Sequence, residues 1–229
     1  MDLAGSLKSV KERIENAAGR AGRDANDVKL VAVTKGVEPG RIIEAVKAGQ
    51  LTFGENYAQE FRLKKEIIDR TVVENVEWHF IGRLQRNKVK YLVGEAGLIH
   101  SLDSLSVARE IEKKAVGLGA VVPVLVEVDT GGEAAKGGVR AEELEGFLES
   151  LREFPSIEVR GLMTMPPYFD EPERVRPYFR ALREMRDRLK AAYPGLRELS
   201  MGMSGDFESA VEEGATLVRV GSAIFGPRL

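Results

Sequence analysis

LVAVTKGV, residues 30–37, is the stretch on which the fold turns. Leu30, Val31, Ala32 and Val33 follow one another with no polar alternation, the pattern of a strand covered on both faces. The run then ends on Thr34-Lys35, just before Gly36. An ammonium at the end of a buried strand is costly unless it is paired, neutralised or used. The rest of the chain has to explain that lysine.

Seven further runs share the strand pattern: 51–56, 76–82, 97–103, 122–130, 157–165, 198–203 and 217–226, after the first at 28–36. Helical patterns separate them. PGRIIEAVKAG carries Pro39 near its first turn and closes on Gly49, and FESAVEEG is expected to be capped by Asp206 and stopped at Gly214. Asp103-Ser104 is the expected cap of LSVAREIEKKAVGLG, and QRNKVKYLVG the shortest helix. An additional helix spans about residues 2–19.

Strands separated by helices pair in parallel through crossovers, and eight such strands close a barrel. The competing open sheet needs a G-x-G-x-x-G turn after an early strand, which TKGVEPGR lacks. The expected fold is therefore α/β: a (β/α)8 TIM barrel with an extra N-terminal helix, in a single domain over residues 1–229.

Composition narrows the function classes. The 229 residues are 43% hydrophobic and 31% charged, with a formal net charge of -2, so no nucleic-acid partner is expected. There is no cysteine, which excludes disulfides and thiolate metal sites. The first residues form a charged amphipathic segment without an apolar signal-peptide region, and no apolar run approaches the roughly 18 residues of a membrane span. A cytoplasmic monomer with no membrane partner is the expectation.

In this fold the chemistry lies at the C-terminal ends of the strands, with phosphate often bound after strands seven and eight. There the sequence offers SMGMSGDFESAVEEG and RVGSAIFG, with Ser200, Ser204, Gly221 and Ser222. Small residues let backbone N–H groups approach an anion, although Ser-Gly before a helix is also an ordinary cap. Barrel closure sets Lys35 beside Arg219 with no evident anion between them. The arginine is expected to depress the lysine pKa, as Schiff-base lysines require. A lysine, an arginine and a phosphate nest suit an aldehyde that carries a phosphate, and pyridoxal 5′-phosphate fits.

The stretches LVAVTKG, FGENYAQE, WHFIGRLQRNK, SLDS, GLMTM and LSMGMSGDFESAVEEGATLVRVGSAIFG occur in family order from about residue 28 onward. On them the chain resembles the pyridoxal-phosphate homeostasis proteins, single-domain relatives of the alanine racemase barrel. The resemblance implies a Schiff base between the cofactor and Lys35. It implies phosphate contacts from Ser200, Gly221 and Ser222 with Ser204 nearby, Arg219 at the pyridine nitrogen and Asn56 along the ring. Pyridoxal-phosphate-dependent apoenzymes are the implied partners.

Other readings carry less. His79 and His100 lack the spacing and the third ligand of a catalytic zinc, so no metal site is expected, and His79 reads as a neutral imidazole at the barrel mouth. GGEAAKGG has Gly138 where a P-loop needs lysine, which leaves Lys136 on a glycine-flanked loop. Met163, Met165, Met201 and Met203 read as core. An arginine at the ring nitrogen makes a weak electron sink. Alanine racemases add a second domain carrying a tyrosine base; this chain runs to Leu229 directly after strand eight, and none of Tyr57, Tyr91 and Tyr168 is assignable as that base. A non-catalytic carrier that buffers or delivers the cofactor is the expectation, with a minimal racemase or decarboxylase as the alternative.

Overall fold

The computed structural model describes residues 2–132 and 137–227, so Lys136 lies outside the described residues. Eight parallel strands form the barrel: β1 (Lys29–Val33), β2 (Thr52–Glu55), β3 (Glu77–Phe80), β4 (Leu98–Leu102), β5 (Val122–Asp129), β6 (Ile157–Met163), β7 (Glu198–Ser200) and β8 (Leu217–Val220). They run around the barrel in chain order, closed by β1 against β8 and by β4 against β5. A two-residue extended piece, Val139–Arg140, pairs with the end of β5. The helices α2 (Pro39–Lys47), α3 (Ala58–Thr71), α4 (Leu105–Leu118), α5 (Leu144–Leu151), α6 (Arg176–Leu189) and α7 (Phe207–Glu212) connect successive strands, except that a 3-10 turn over Arg86–Tyr91 joins β3 to β4.

The N-terminal helix α1 (Leu3–Arg20) buries Leu3, Leu7, Val10, Ile14, Ala17 and Ala18, a spacing of three and four that draws one apolar stripe. It packs against α2, α7 and the short α8 (Ser222–Phe225), covering the seam where the first and last strands meet. Arg13 reaches Glu208 at 2.7 Å and Arg20 reaches Glu212 at 2.6 Å across that junction.

Several elements differ from the pattern-based expectation. β1 stops at Val33, which puts Lys35 in the turn beyond the strand. β7 is only three residues long, and the residues after Val220 turn into α8 instead of continuing the strand. QRNKVKYLVG gives a 3-10 turn, and α3, for which the strand-and-helix pattern gave no assignment, is a finding of the structure. Neither Ser104 nor Asp206 caps its helix through the side chain; Asp206 turns back to accept from the Met203 N–H at 2.5 Å. Met163 and Met201 are core, whereas Met165 and Met203 are exposed, because both lie past the ends of their strands.

Residues at every second position face the barrel interior. There, Val31, Leu98, Leu125, Met163 and Leu217 make a small apolar cluster separate from the main core between sheet and helices. Buried polar side chains join it there: His79, His100, Ser200 and Arg219. A barrel filled that way is unusual for a core whose side chains are mostly branched and apolar, and it calls for a chemical account.

Candidate functional site

The C-terminal mouth is assembled from turns, and each is tied down by chemistry around it. Lys35 follows Thr34, whose carbonyl accepts from Lys64 Nζ at 2.7 Å, and precedes Gly36, whose N–H donates to Glu60 at 3.1 Å. Lys64 on α3 is itself buried and also donates to Glu55 and Glu60, each at 2.6 Å. The Thr34 hydroxyl donates to the same Glu55 oxygen at 2.8 Å, and the other oxygen accepts the Asn56 N–H at 3.0 Å. All three ammonium hydrogens of Lys64 are thereby engaged, which is what burial of a charge demands. The Lys35 turn is gripped on both sides, while its own Nζ is left over the Tyr57 ring at 5.0 Å from the centroid.

Asn56 follows β2 with its backbone against Gly82, where a Cβ would lie 2.0 Å from the Asn56 carbonyl oxygen. Only glycine permits that approach. The Asn56 amide oxygen is buried with no hydrogen-bond partner, an expensive state that a polar ligand would relieve. On the opposite side, Ser204 Oγ accepts from the N–H groups of Gly221 at 3.1 Å and Ala223 at 3.4 Å. Two backbone donors aimed at one oxygen are the geometry an anion's oxygen requires. Ser222, beside them, is exposed. The loop gets there through Gly202, at φ +90, whose added Cβ would meet Ala210 at 2.5 Å.

Arg219 is rooted lower, opposite Val31, and is 4% exposed. Its guanidinium donates to Ser200 Oγ at 2.6 Å and to the Thr164 carbonyl at 3.0 Å. Burial lowers its pKa to about 10, against the opposing pull of Glu127 and Asp206, so it stays a cation at neutral pH. Those two carboxylates are the anions that strand order alone did not reveal. The structure thus brings Lys35, Asn56, Ser204, Gly221 and Ser222 to one mouth, with Arg219 beneath. The Ser200 hydroxyl is fully buried, within hydrogen-bond reach of both Arg219 and His100.

Glu127 and Lys64 are site residues that motif reading passed over; for Glu127, a polar residue inside an apolar strand run was the available signal. His79 is placed mid-strand, deeper than the mouth position expected for it. Among the described residues, no cluster suits a metal ion. Burial and the nearby Asp103 raise Glu127 to about 7, with Arg219 and Arg83 opposing. A carboxyl whose pKa is raised on folding holds its proton longer in the folded state, so stability falls as pH rises from about 4.5 through about 7. Glu127→Gln is expected to stabilise the cofactor-free protein above pH 7 and to flatten that fall, by an amount on the order of 3 kcal/mol. Urea unfolding at pH 5 and pH 8 measures it; an equal pH slope in both proteins contradicts the assignment.

Comparison with known proteins identifies the family. The sequence profile of the alanine racemase N-terminal domain family matches residues 6–228. A curated pyridoxal phosphate homeostasis protein of Aquifex aeolicus is 51% identical over all of this chain and 99% of its own length. One of Escherichia coli K12 is 37% identical over 99% of this chain and 97% of its own. PipY of Synechococcus elongatus, solved with PLP bound, superposes with a TM-score of 0.85 at 33% identity, covering 98% of this chain and all of that one. The alanine racemase of Corynebacterium glutamicum, at 19% identity and a TM-score of 0.71, shares the fold over 96% of this chain and 62% of its own.

Proposed function

This chain belongs to the pyridoxal phosphate homeostasis protein family, and from that premise we propose that it binds pyridoxal 5′-phosphate at the C-terminal mouth and buffers or delivers it to apoenzymes. The carrying observation is the convergence of a clamped lysine turn, an unsatisfied buried amide oxygen and a pair of N–H donors aimed at one oxygen.

When bound, the cofactor supplies an aldehyde that condenses reversibly with a primary amine. Lys35 is the amine that would hold it, with Nζ left free by the clamp on its peptide. Ser204, Gly221 and Ser222 would hold the phosphate, and Asn56 would complete its amide against the ring. Ser200 belongs with Arg219 in this reading, since its hydroxyl accepts from the guanidinium. Arg219 is the donor assigned to the ring nitrogen. A guanidinium has no proton to give up near neutral pH and no lone pair to accept one, so it leaves that nitrogen unprotonated. Arg219 would thereby weaken the cofactor as an electron sink, which would favour storage and amine exchange over α-proton removal.

No helix among the described residues is long and apolar enough to cross a membrane. A carrier located in the cytoplasm, working as a single barrel domain and monomer, agrees with this reading.

The test follows the cofactor and the α-proton together. Loaded protein is expected to activate a pyridoxal-phosphate-dependent apoenzyme, and to exchange α-deuterium of alanine no faster than free cofactor does. Stereospecific α-exchange well above that rate would replace the carrier with a racemase.

A further inference from the structure

The barrel interior holds a connected line of polar groups that cofactor binding at the mouth leaves unexplained. Arg219 donates to Ser200 Oγ at 2.6 Å, and Ser200 Oγ lies 2.8 Å from His100 Nδ1. His100 Nε2 lies 2.9 Å from His79 Nδ1, and His79 Nε2 lies 3.0 Å from Glu77 Oε1. Glu77 begins β3, at the N-terminal mouth, where it also accepts from Lys29 at 3.0 Å and from Thr52 at 3.3 Å. A cavity of about 200 Å³ opens there, lined by Lys29, Glu77 and His79 among others. The line therefore runs from one end of the barrel to the other.

Its protons can be assigned from the arginine end. A guanidinium only donates, so Ser200 accepts from it, and the serine hydrogen is free to donate to His100 Nδ1. His100 then carries its hydrogen on Nε2 and donates to His79 Nδ1. His79 in turn carries its hydrogen on Nε2, the atom beside Glu77. Glu77, an acceptor-only carboxylate 3.0 Å from His79 Nε2, is compatible with a hydrogen on that atom, although no hydrogen bond joins the two. The oxygen of Glu77 sits off the axis of the His79 N–H, which makes this last link a close charge contact instead of a linear bond.

The titration behaviour agrees. Burial first, then His79 and Arg219, push His100 well below the usual histidine range, so it is neutral as the direction requires. Glu77 is held down to about 2, first by His79 and also by Lys29, against burial, so the acceptor end stays ionised. The neutral imidazole of His100 lies in a line of polar contacts between a cation and an anion, in which each bond polarises the next.

We propose that His79 and His100 are positioning residues, anchored by Glu77 at the far mouth, that act through Ser200 to fix the guanidinium of Arg219. Through them the Glu77–Lys29 pair is coupled to the cofactor site at the other end of the barrel. The line itself stands on this chain's own contacts; the coupling rests on the assignment of Arg219 to the cofactor ring.

The chain has only two histidines, so a long-range proton–nitrogen spectrum of ¹⁵N-labelled, cofactor-free protein contains only two ring systems. Both rings are expected as neutral Nε2–H tautomers. Ser200→Ala is expected to mix the His100 tautomers and to move the His79 nitrogens, although His79 does not touch Ser200. Glu77→Gln, a nearly isosteric change at a half-exposed mouth position, is expected to shift the His100 nitrogens and, in loaded protein, the visible band of the bound cofactor; Glu77→Asp should restore both in part. A proton on His100 Nδ1, a charged ring, or His79 nitrogens indifferent to Ser200→Ala would overturn the line. A normal tautomer pattern with a cofactor band unmoved by Glu77→Gln would overturn the coupling. Failure of the protein to bind cofactor at all would strike the proposed function alone, because the cofactor-free spectra decide the line without it.

Discussion

Borohydride reduction of the loaded protein is expected to fix the cofactor to the peptide containing Lys35, and Lys35→Ala is expected to lose both that adduct and the imine absorption band completely. The magnitude follows from chemistry that has no substitute: of the described residues brought to the mouth, Lys35 alone carries a primary amine there. The phosphate contacts are untouched by the change. Charge-assisted hydrogen bonds contribute about 1.5–3 kcal/mol each, so the variant should retain weak, non-covalent binding of pyridoxal phosphate but not of unphosphorylated pyridoxal. Mass mapping of the reduced peptide and equilibrium dialysis measure the two parts. An adduct on a different lysine, with Lys35→Ala still showing the imine band, removes Lys35 from the site.

The second large effect is expected at Lys64, which never reaches the mouth. Its ammonium binds the Thr34 carbonyl, Glu55 and Glu60 while its side chain is 7% exposed and that of Glu55 fully buried. Removing one partner of a buried pair costs about 3–5 kcal/mol, since the other charge is left in a poor medium. Lys64→Met should therefore lower the melting temperature by roughly 10 °C. Two further consequences separate a clamp from a mere brace. Glu55→Gln added to Lys64→Met should recover part of the stability, because the orphaned charge is gone. It should not recover the trapping efficiency at Lys35, because the Thr34 carbonyl still lacks its donor. Calorimetry and the borohydride yield report the two separately. A stability loss below about 1 kcal/mol for Lys64→Met, or unchanged trapping, contradicts the assignment.

The architecture was legible in the sequence for a simple reason. Strands covered on both faces must be apolar throughout, and helices lying on them must carry one apolar stripe, so eight alternations announce a closed parallel barrel. LVAVTKGV carried most of this. Its lack of alternation declared burial, and its final lysine declared a charged group at a strand end, where this fold keeps its chemistry. The Ser-Gly runs after the last two strands were legible in the same way, since small residues before a turn leave backbone donors uncovered. Element ends were less so. β1 stops two residues short of Lys35 and β8 gives way to α8 at Ser222, because hydrogen bonding to neighbouring strands, and not local preference, decides where a strand stops.

What the tertiary structure alone decided is which polar groups meet. Thr34, Glu55 and Lys64 are far apart in the chain pattern, and nothing in their spacing says that Lys64 grips the turn carrying Lys35. Ser200 could serve the phosphate or the interior with equal local logic. It faces Arg219 and His100 because alternation along β7 points it inward, and closure of the barrel brings β4 and β8 to either side of it. The line from Arg219 to Glu77 crosses four strands. Its direction follows from the donor-only guanidinium at one end, a condition set by distances in the closed barrel. A sequence states the chemical character of each residue, but the sharing of a hydrogen is a property of two atoms about 3 Å apart, and only the fold sets that distance.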